Sequence, residues 1–339
     1  MSFLSVEQFI KEAPKGTILD IRSPKEYEQG HIPGAQSFPL FTNDERAEVG
    51  TLYKKKGKDQ AVIRGLQFVG PKMADFVIAA KKIGGPLYLH CWRGGMRSSS
   101  MAWLLQSAGL EVYVLKGGYK AWRNHHRELI KENLKLLILG GPTGSGKTDI
   151  LDELEKQGEQ VIDLEGLAHH KGSSFGALGQ TPQPTTEQFE NDIFDKVAKT
   201  NFSRPVWVEG ESRSIGHVFI PTEFDDLMRV SPLIVFTIPQ ELRIERLVRD
   251  YACFPTEKLH DAVDRIKKRL GGLQTQQAFE ALDNKDFHQV AKITLSYYDK
   301  AYYHAFTKRN SEVTEVNVDE DDPVKTATKL IQQFSSISV

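Results

Sequence analysis

Two short stretches of this chain combine residue types that can do chemistry. The first is His90-Cys91-Trp92-Arg93-Gly94-Gly95-Met96-Arg97-Ser98. A cysteine closes an apolar run, a glycine pair follows, and Arg97 opens a helical pattern. Backbone N–H groups turned inward at Gly94 and Gly95, a helix N-terminus and the Arg97 guanidinium would all favour a thiolate at Cys91. A plain core cysteine is the alternative, but packing gives no reason for two glycines and two arginines in the same stretch. The spacing also reads C-x5-R, the pattern of loops that hold a phosphate dianion while cysteine attacks phosphorus. Transfer of a sulfur or selenium atom and hydrolysis of a phosphoester are therefore adjacent chemistries for this loop. The spacing predicts a loop sized for a phosphate-bearing donor, with the planar fork of Arg97 on its oxygens.

The second stretch is Gly141-Pro142-Thr143-Gly144-Ser145-Gly146-Lys147-Thr148, which fits G-x-x-x-x-G-K-[ST]. It follows an apolar run over 134–139 and precedes an amphipathic stretch over 149–157, the strand–loop–helix context that the motif requires. Around Gly141, Gly144, Ser145 and Gly146 the backbone N–H groups can converge on a phosphate at the positive end of a helix. Lys147 can neutralise an outer phosphate, and the Thr148 hydroxyl is a candidate Mg²⁺ ligand. The motif implies a polyphosphate without saying which one. Glu209 and Glu211 follow an apolar run over 205–208, where a metal-supporting or water-orienting carboxylate sits in such folds. Asp163 and Glu165 end another strand-like run at the same sheet edge, where open α/β sheets bind ligands. No resident metal centre is expected, because His169 and His170 lack further ligands around them.

The elements that must position these stretches are legible from periodicity. Strands are predicted over 17–20, 86–90 and 112–115, with a helix over 98–108 whose Met101, Leu104 and Leu105 share a face. A charged helix over 119–133 connects to a second alternation, with strands over 134–139, 160–163, 205–208, 233–236 and 313–318 and a last helix over 323–334. Strands separated by helices imply parallel α/β sheets. The expected organisation is a domain over 1–125, a helical linker over 126–133 and a second domain over 134–339. The stretch 171–184, rich in Gly, Ser, Gln and Pro, is a long loop of the functional kind.

Composition removes several classes. A length of 339 residues suits about two domains. The net charge of -1 argues against a uniformly basic coat for nucleic acid, while leaving room for local patches. Two distant cysteines, Cys91 and Cys253, make neither a disulfide scaffold nor a zinc cluster and suit a reducing cytoplasm. No secretory signal and no bilayer-length apolar run are found, so a cytoplasmic protein without a membrane partner is expected. Candidate polyanion contacts are Arg243, Arg246 and Arg249, which fall opposite Ile244, Leu247, Val248 and Tyr251 on a predicted helix. A solvated face and a lid over bound phosphate are the other readings of these arginines. Further basic runs are Lys54-Lys55-Lys56 with Lys58, and Arg265 with Lys267, Lys268 and Arg269. His169 and His170 lie in the long-loop region and are candidate substrate contacts.

Around the cysteine loop, three stretches resemble the rhodanese family of sulfurtransferases. They are the cysteine loop itself, 20–27 with 30–35 (Asp20-Ile21-Arg22-Ser23 through Gly30-His31-Ile32-Pro33), and Leu115-Lys116-Gly117-Gly118-Tyr119-Lys120-Ala121-Trp122. The outer residues, His31 included, read as structural. The order of a rhodanese-like domain followed by a P-loop domain resembles one narrower family, the tRNA 2-selenouridine synthases. The stretches 49–57, 163–176, Gln183-Pro184, Phe189-Glu190-Asn191 and 209–216 carry the same resemblance. It implies a rhodanese-like parallel-sheet domain followed by a P-loop NTPase-like α/β domain. It further implies a transferase that geranylates the 2-thio group of the wobble uridine of tRNA from geranyl diphosphate. Selenium from selenophosphate then replaces S-geranyl through Cys91. On that resemblance both donors are co-substrates, no tightly bound cofactor is expected, and an enzyme supplying selenophosphate is a candidate partner. From the residues alone two rivals stay open. One is a kinase or ATP-dependent sulfurtransferase fused to a sulfur carrier, and the other is a binding module with an inactive cysteine domain.

Overall fold

The computed structural model describes residues 2–306 and 311–334. Met1 and the stretches 307–310 and 335–339 of the expected second domain lie outside the described residues. The chain divides into two compact units, 1–128 and 129–339.

The first unit runs β1 (Ser2–Leu4), α1 (Val6–Glu12), β2 (Thr17–Asp20), α2 (Pro24–Gln29), β3 (Gln36–Ser37), α3 (Asn43–Lys56), α4 (Lys58–Val69), α5 (Met73–Ile83), β4 (Leu87–His90), α6 (Met96–Ser107), β5 (Val112–Leu115) and the start of α7 (Gly118–Asn133). Its sheet has the order β1-β5-β4-β2-β3, with every pair parallel. The central strand β4 is buried at all four positions, as expected of a parallel strand covered on both faces. Leu87 and Leu89 join Met101, Ala102 and Leu105 of α6 in one apolar cluster, which fixes α6 on the sheet and so fixes the loop between them. Helix α7 continues without a break through 126–133, so the expected linker is the second half of one helix.

The second unit contains β6 (Leu136–Gly140), α8 (Lys147–Lys156), β7 (Gln160–Ile162), α9 (Leu164–Ala168), α10 (Thr186–Ala198), β8 (Val206–Glu209), β9 (Ser214–Ile215), β10 (Val218–Phe219), α11 (Thr222–Val230), β11 (Leu233–Thr237), α12 (Gln240–Tyr251), α13 (Thr256–Leu270), α14 (Gly272–Asp283), α15 (Phe287–Phe306), β12 (Val313–Asn317) and α16 (Pro323–Phe334). Five parallel strands take the order β12-β11-β6-β8-β7, and β9 and β10 form a small antiparallel pair. The five residues of β6 are all buried, and α8 lays Ile150, Leu151 and Leu154 against Leu137, Leu139 and Trp207. Helices α12 to α15 build a separate apolar cluster from Leu259, Val263, Leu282 and Val290, against which Phe175 and Leu178 of the long loop pack. That loop is thus anchored by its own apolar side chains; the Ser174 N–H donates to the Tyr298 hydroxyl at 3.0 Å, and the two hydroxyls share a hydrogen bond at 2.6 Å.

Candidate functional site

The cysteine loop is the turn from the end of β4 into α6. Cys91 is buried, with Sγ 3.3 Å from the Ser98 hydroxyl. That hydroxyl also lies 3.1 Å from the Gly95 carbonyl, so its one proton can serve either the carbonyl or the sulfur. Burial pushes the thiol up, but the Ser98 hydroxyl, the Arg97 charge and the backbone N–H groups of Ser98 and Arg93 outweigh it and hold Cys91 below the usual thiol range. Gly94 sits at φ +62°, and a Cβ there would meet the Leu115 carbonyl oxygen at 2.5 Å and the Gly117 and Gly118 nitrogens at 2.8 Å. Only glycine fits this crossing of the two loops. Gly95 differs: it caps α6 at φ -99°, and a Cβ would meet nothing within 4 Å.

Beneath the loop lies a buried polar layer. Arg22 donates to both Asp20 oxygens and to the Gly30 carbonyl, and its guanidinium lies 3.9 Å from the centre of the Tyr119 ring. His90, fully buried, is pushed down to about 4 by desolvation and is therefore neutral at physiological pH. This layer ties β2, β4 and α7 together under the nucleophile.

Arg97 occupies a place other than the one its spacing suggested. Its guanidinium donates to Glu26 at 2.8 Å, and Glu26 in turn caps α2 by accepting from the Ser23 N–H. The fork expected on donor oxygens is engaged by a carboxylate from α2, some seventy residues away in sequence. At that position Arg97 acts on Cys91 through its charge.

In the second unit the phosphate loop joins β6 to α8 at the centre of the sheet. Gly146 has φ +86°, and a Cβ there would meet the Arg246 guanidinium carbon at 2.6 Å. Lys147 Nζ reaches the Gly141 carbonyl at 3.3 Å and stands 4.0 Å from Glu211. Thr148 Oγ1 donates to Glu165 at 3.2 Å, and the Glu165 N–H donates to Glu209 at 2.6 Å. Glu211 and Glu165 therefore face Lys147 and Thr148, and Glu209 backs them through the Glu165 N–H. Burial and the neighbouring Glu211 push Glu165 up to about 8, and burial with the nearby acids Asp163 and Glu165 raises Glu209 well above the carboxylate range. One oxygen of Glu209 is buried without a hydrogen-bond partner. Such a crowded oxygen set suits a hard cation held jointly with phosphate oxygens. Thr148 with Glu165 or Glu209 would hold Mg²⁺ there, supplying charge to a leaving phosphate. Among the described residues no three His, Cys, Asp or Glu side chains could hold a metal by themselves. Asp163 borders this set as the N-cap of α9, accepting from the Gly166 N–H at 2.8 Å.

For Arg243 and Arg246, the reading as a solvent-facing surface for tRNA requires a correction. Periodicity placed Arg243, Arg246 and Arg249 on a face opposite the apolar residues, open to a polyanion. Arg243 and Arg246 are instead the buried residues of α12, and Arg249 is exposed. Arg243 donates to the Thr143 carbonyl of the phosphate loop at 2.9 Å and pairs with Asp299. Arg246 is clamped between Asp149 and Asp321. Buried guanidinium groups persist only when paired, and here the acids come from α8, α15 and the turn after β12. These distant partners leave no trace in local periodicity. His169 and His170 are likewise organisers of the long loop. His169 caps α9 with φ 51° and its ring lies 2.9 Å from the Pro182 carbonyl, while His170 is buried against Gly176 and its pKa is pushed down by desolvation.

A feature that sequence reasoning missed lies beside Thr143. A small apolar pocket, about half open to solvent, is lined by Phe175, Leu247, Val248, Tyr251, Leu282 and Val290. Its walls come from α12 to α15 and the long loop, so only Leu247, Val248 and Tyr251, read as core, gave any signal of it.

Known protein families match both units. Residues 134–330 match the family model described as the tRNA 2-selenouridine synthase AAA domain, and residues 5–125 match the rhodanese-like domain. The chain belongs to the tRNA 2-selenouridine synthase family. A tRNA 2-selenouridine synthase of Shewanella sediminis is 33% identical over 87% of this chain and 89% of its own length. That of Bordetella petrii is 35% identical over 91% and 90%, and that of Marinobacter nauticus 33% over 90% and 91%. The similarity thus spans both units in each of these relatives. Among the described residues no helix is long and apolar enough to cross a membrane.

Proposed function

We propose that this chain is a transferase that converts 2-thiouridine at the wobble position of tRNA to 2-selenouridine, with geranyl diphosphate and selenophosphate as co-substrates. The family membership supports the overall reaction. The observation that carries the choice of diphosphate is the apolar pocket adjoining the phosphate loop at Thr143. An apolar pocket that touches the phosphate loop at Thr143 suits the hydrocarbon tail of a prenyl diphosphate. ATP would fit the same loop, but the pocket's walls are largely aliphatic and aromatic and suit a hydrocarbon chain better than a purine with its hydrogen-bonding edge.

In the first step the 2-thio sulfur attacks the first carbon of the geranyl chain. The carbon–oxygen bond breaks and diphosphate leaves with the electron pair, its charge met by Lys147 and the N–H groups of the loop. Alkylation makes C2 of the base electrophilic and its sulfur a good leaving group. In the second, water takes the phosphoryl group of selenophosphate, selenium bonds to C2, and geranyl thiol departs with the base proton balance restored at N3. Cys91, held below the usual thiol range and buried in its loop, mediates this exchange at the base: its thiolate adds to C2 as geranyl thiolate leaves, and selenide then displaces it, so no sulfur–selenium bond and no oxidant are needed. The enzyme that makes selenophosphate is the candidate supplying partner.

The test is mass analysis of tRNA nucleosides after incubation with both donors. Cys91→Ser should stop at the S-geranyl nucleoside, and Lys147→Ala should leave 2-thiouridine largely unmodified. Normal selenouridine from Cys91→Ser, or geranylation that ignores Lys147 and proceeds only with ATP, would overturn the proposal.

A further inference from the structure

The cysteine loop carries exposed side chains that neither its thiolate nor its fold requires. Trp92, next to the nucleophile, is 37% exposed, and Met96 is 52% exposed. Large apolar side chains at the mouth of a loop are costly to leave in water unless something covers them. Trp92 is also firmly seated. Its carbonyl accepts from the Lys120 N–H at 3.0 Å, and the preceding Cys91 carbonyl accepts from the Tyr119 N–H at 2.9 Å. Its ring packs on Tyr119 with centroids 5.6 Å apart, and Tyr119 itself is held by the Arg22 guanidinium. The buried layer beneath the loop therefore presents an indole at a defined place beside Cys91.

Charge surrounds it. Arg93 lies on the loop, Lys116 on the crossing turn that Gly94 contacts and Lys120 in the first turn of α7, all three exposed. Among the described residues none of the three forms an ion pair. Single-stranded RNA is recognised by bases stacked on aromatic faces, with cations along the backbone. The geometry points to Trp92 as the platform on which the modified base stacks, out of its own strand, while Arg93, Lys116 and Lys120 hold the flanking phosphates. Trp92 is a positioning residue of the selenium step, and the assignment rests on the proposed role of Cys91. Three exposed cations without ion pairs beside an exposed indole favour a nucleic acid over a protein as the occupant.

The experiment uses the full chain and an anticodon stem-loop RNA carrying S-geranyl-2-thiouridine. Conversion to 2-selenouridine is followed in single turnover with selenophosphate over a range of RNA concentrations. Trp92→Ala should slow conversion at limiting RNA on the order of ten- to a hundredfold, the range of one lost base–aromatic stack. Trp92→Phe should recover most of it. Mass-mapped alkylation of Cys91 should keep its pH profile in both variants, showing that the loop is intact. Neutralising Arg93, Lys116 and Lys120 together should flatten the salt dependence of the same rate, by about 0.7 of a unit for each phosphate no longer neutralised. Full activity in Trp92→Ala, while Cys91→Ser is inactive, overturns the platform alone. A Trp92→Ala defect that appears only when selenium is delivered by a supplying protein, and not with free selenophosphate, overturns it in favour of a protein-docking face. Conversion by Cys91→Ser at the parent rate overturns the assignment of the loop itself, and the platform with it.

Discussion

Replacing Ala252 by phenylalanine should block the hydrocarbon chain and leave the diphosphate site working. Ala252 is half-buried on the wall of the pocket beside Thr143, so a ring there projects into space and displaces little packed core. Geranyl has ten carbons. If the pocket covers about half of them at about 0.8 kcal/mol each, the chain adds about 4 kcal/mol to binding, or roughly a thousandfold. Geranyl diphosphate should therefore bind about a thousand times more tightly than inorganic diphosphate to the parent protein. In Ala252→Phe the two affinities should converge to within about tenfold, with inorganic diphosphate itself changed little. Calorimetric titration at fixed Mg²⁺ measures both, and an ATP analogue serves as the third ligand. Equal affinities for the two diphosphates in the parent, or a preference for geranyl diphosphate that survives the substitution, would refute the assignment of the pocket.

Arg246→Ala should destabilise the phosphate-loop unit by roughly 3 kcal/mol, the low end for stripping a buried ion pair because Asp149 is half exposed, and thermal melting should fall by several degrees. The salt dependence of tRNA binding should not change with it, since that guanidinium is committed to Asp149 and Asp321. Replacing Lys54, Lys55, Lys56 and Lys58 by alanine tests the exposed basic run at the α3–α4 junction, and filter binding across salt should show a shallower slope if these lysines meet phosphates. Glu165 holds its proton up to about 8 when folded against an ordinary 4.5, so the folded state binds the extra proton between those values. Stability of the ligand-free protein should then fall as pH rises through that window, and Glu165→Gln should flatten the decline in a pH series of denaturant melts.

The outline of the fold was legible before the structure because parallel strands buried on both faces are continuous apolar runs. Leu136 to Gly140 and Leu87 to His90 could be read as little else. The two loops were equally legible. A phosphate cradle needs glycines, a lysine and a hydroxyl within a few residues, and a thiolate loop needs its N–H donors close to its cysteine, so each motif is local in sequence.

What the sequence alone determined was this pair of local devices, their order along the chain and the sheets that carry them. The tertiary structure decided which charges are spent and which are free. Arg97 is taken by Glu26, and Arg243 and Arg246 by Asp299, Asp149 and Asp321, through partners far away in the chain. It also decided that Thr148 meets Glu165, and that segments from the long loop and from α12 to α15 line one apolar pocket. A helical period reports that residues share a face and says nothing of what that face meets. An acid brought in from a distant element can bury an arginine face as firmly as a core buries leucine, because pairing offsets the loss of water.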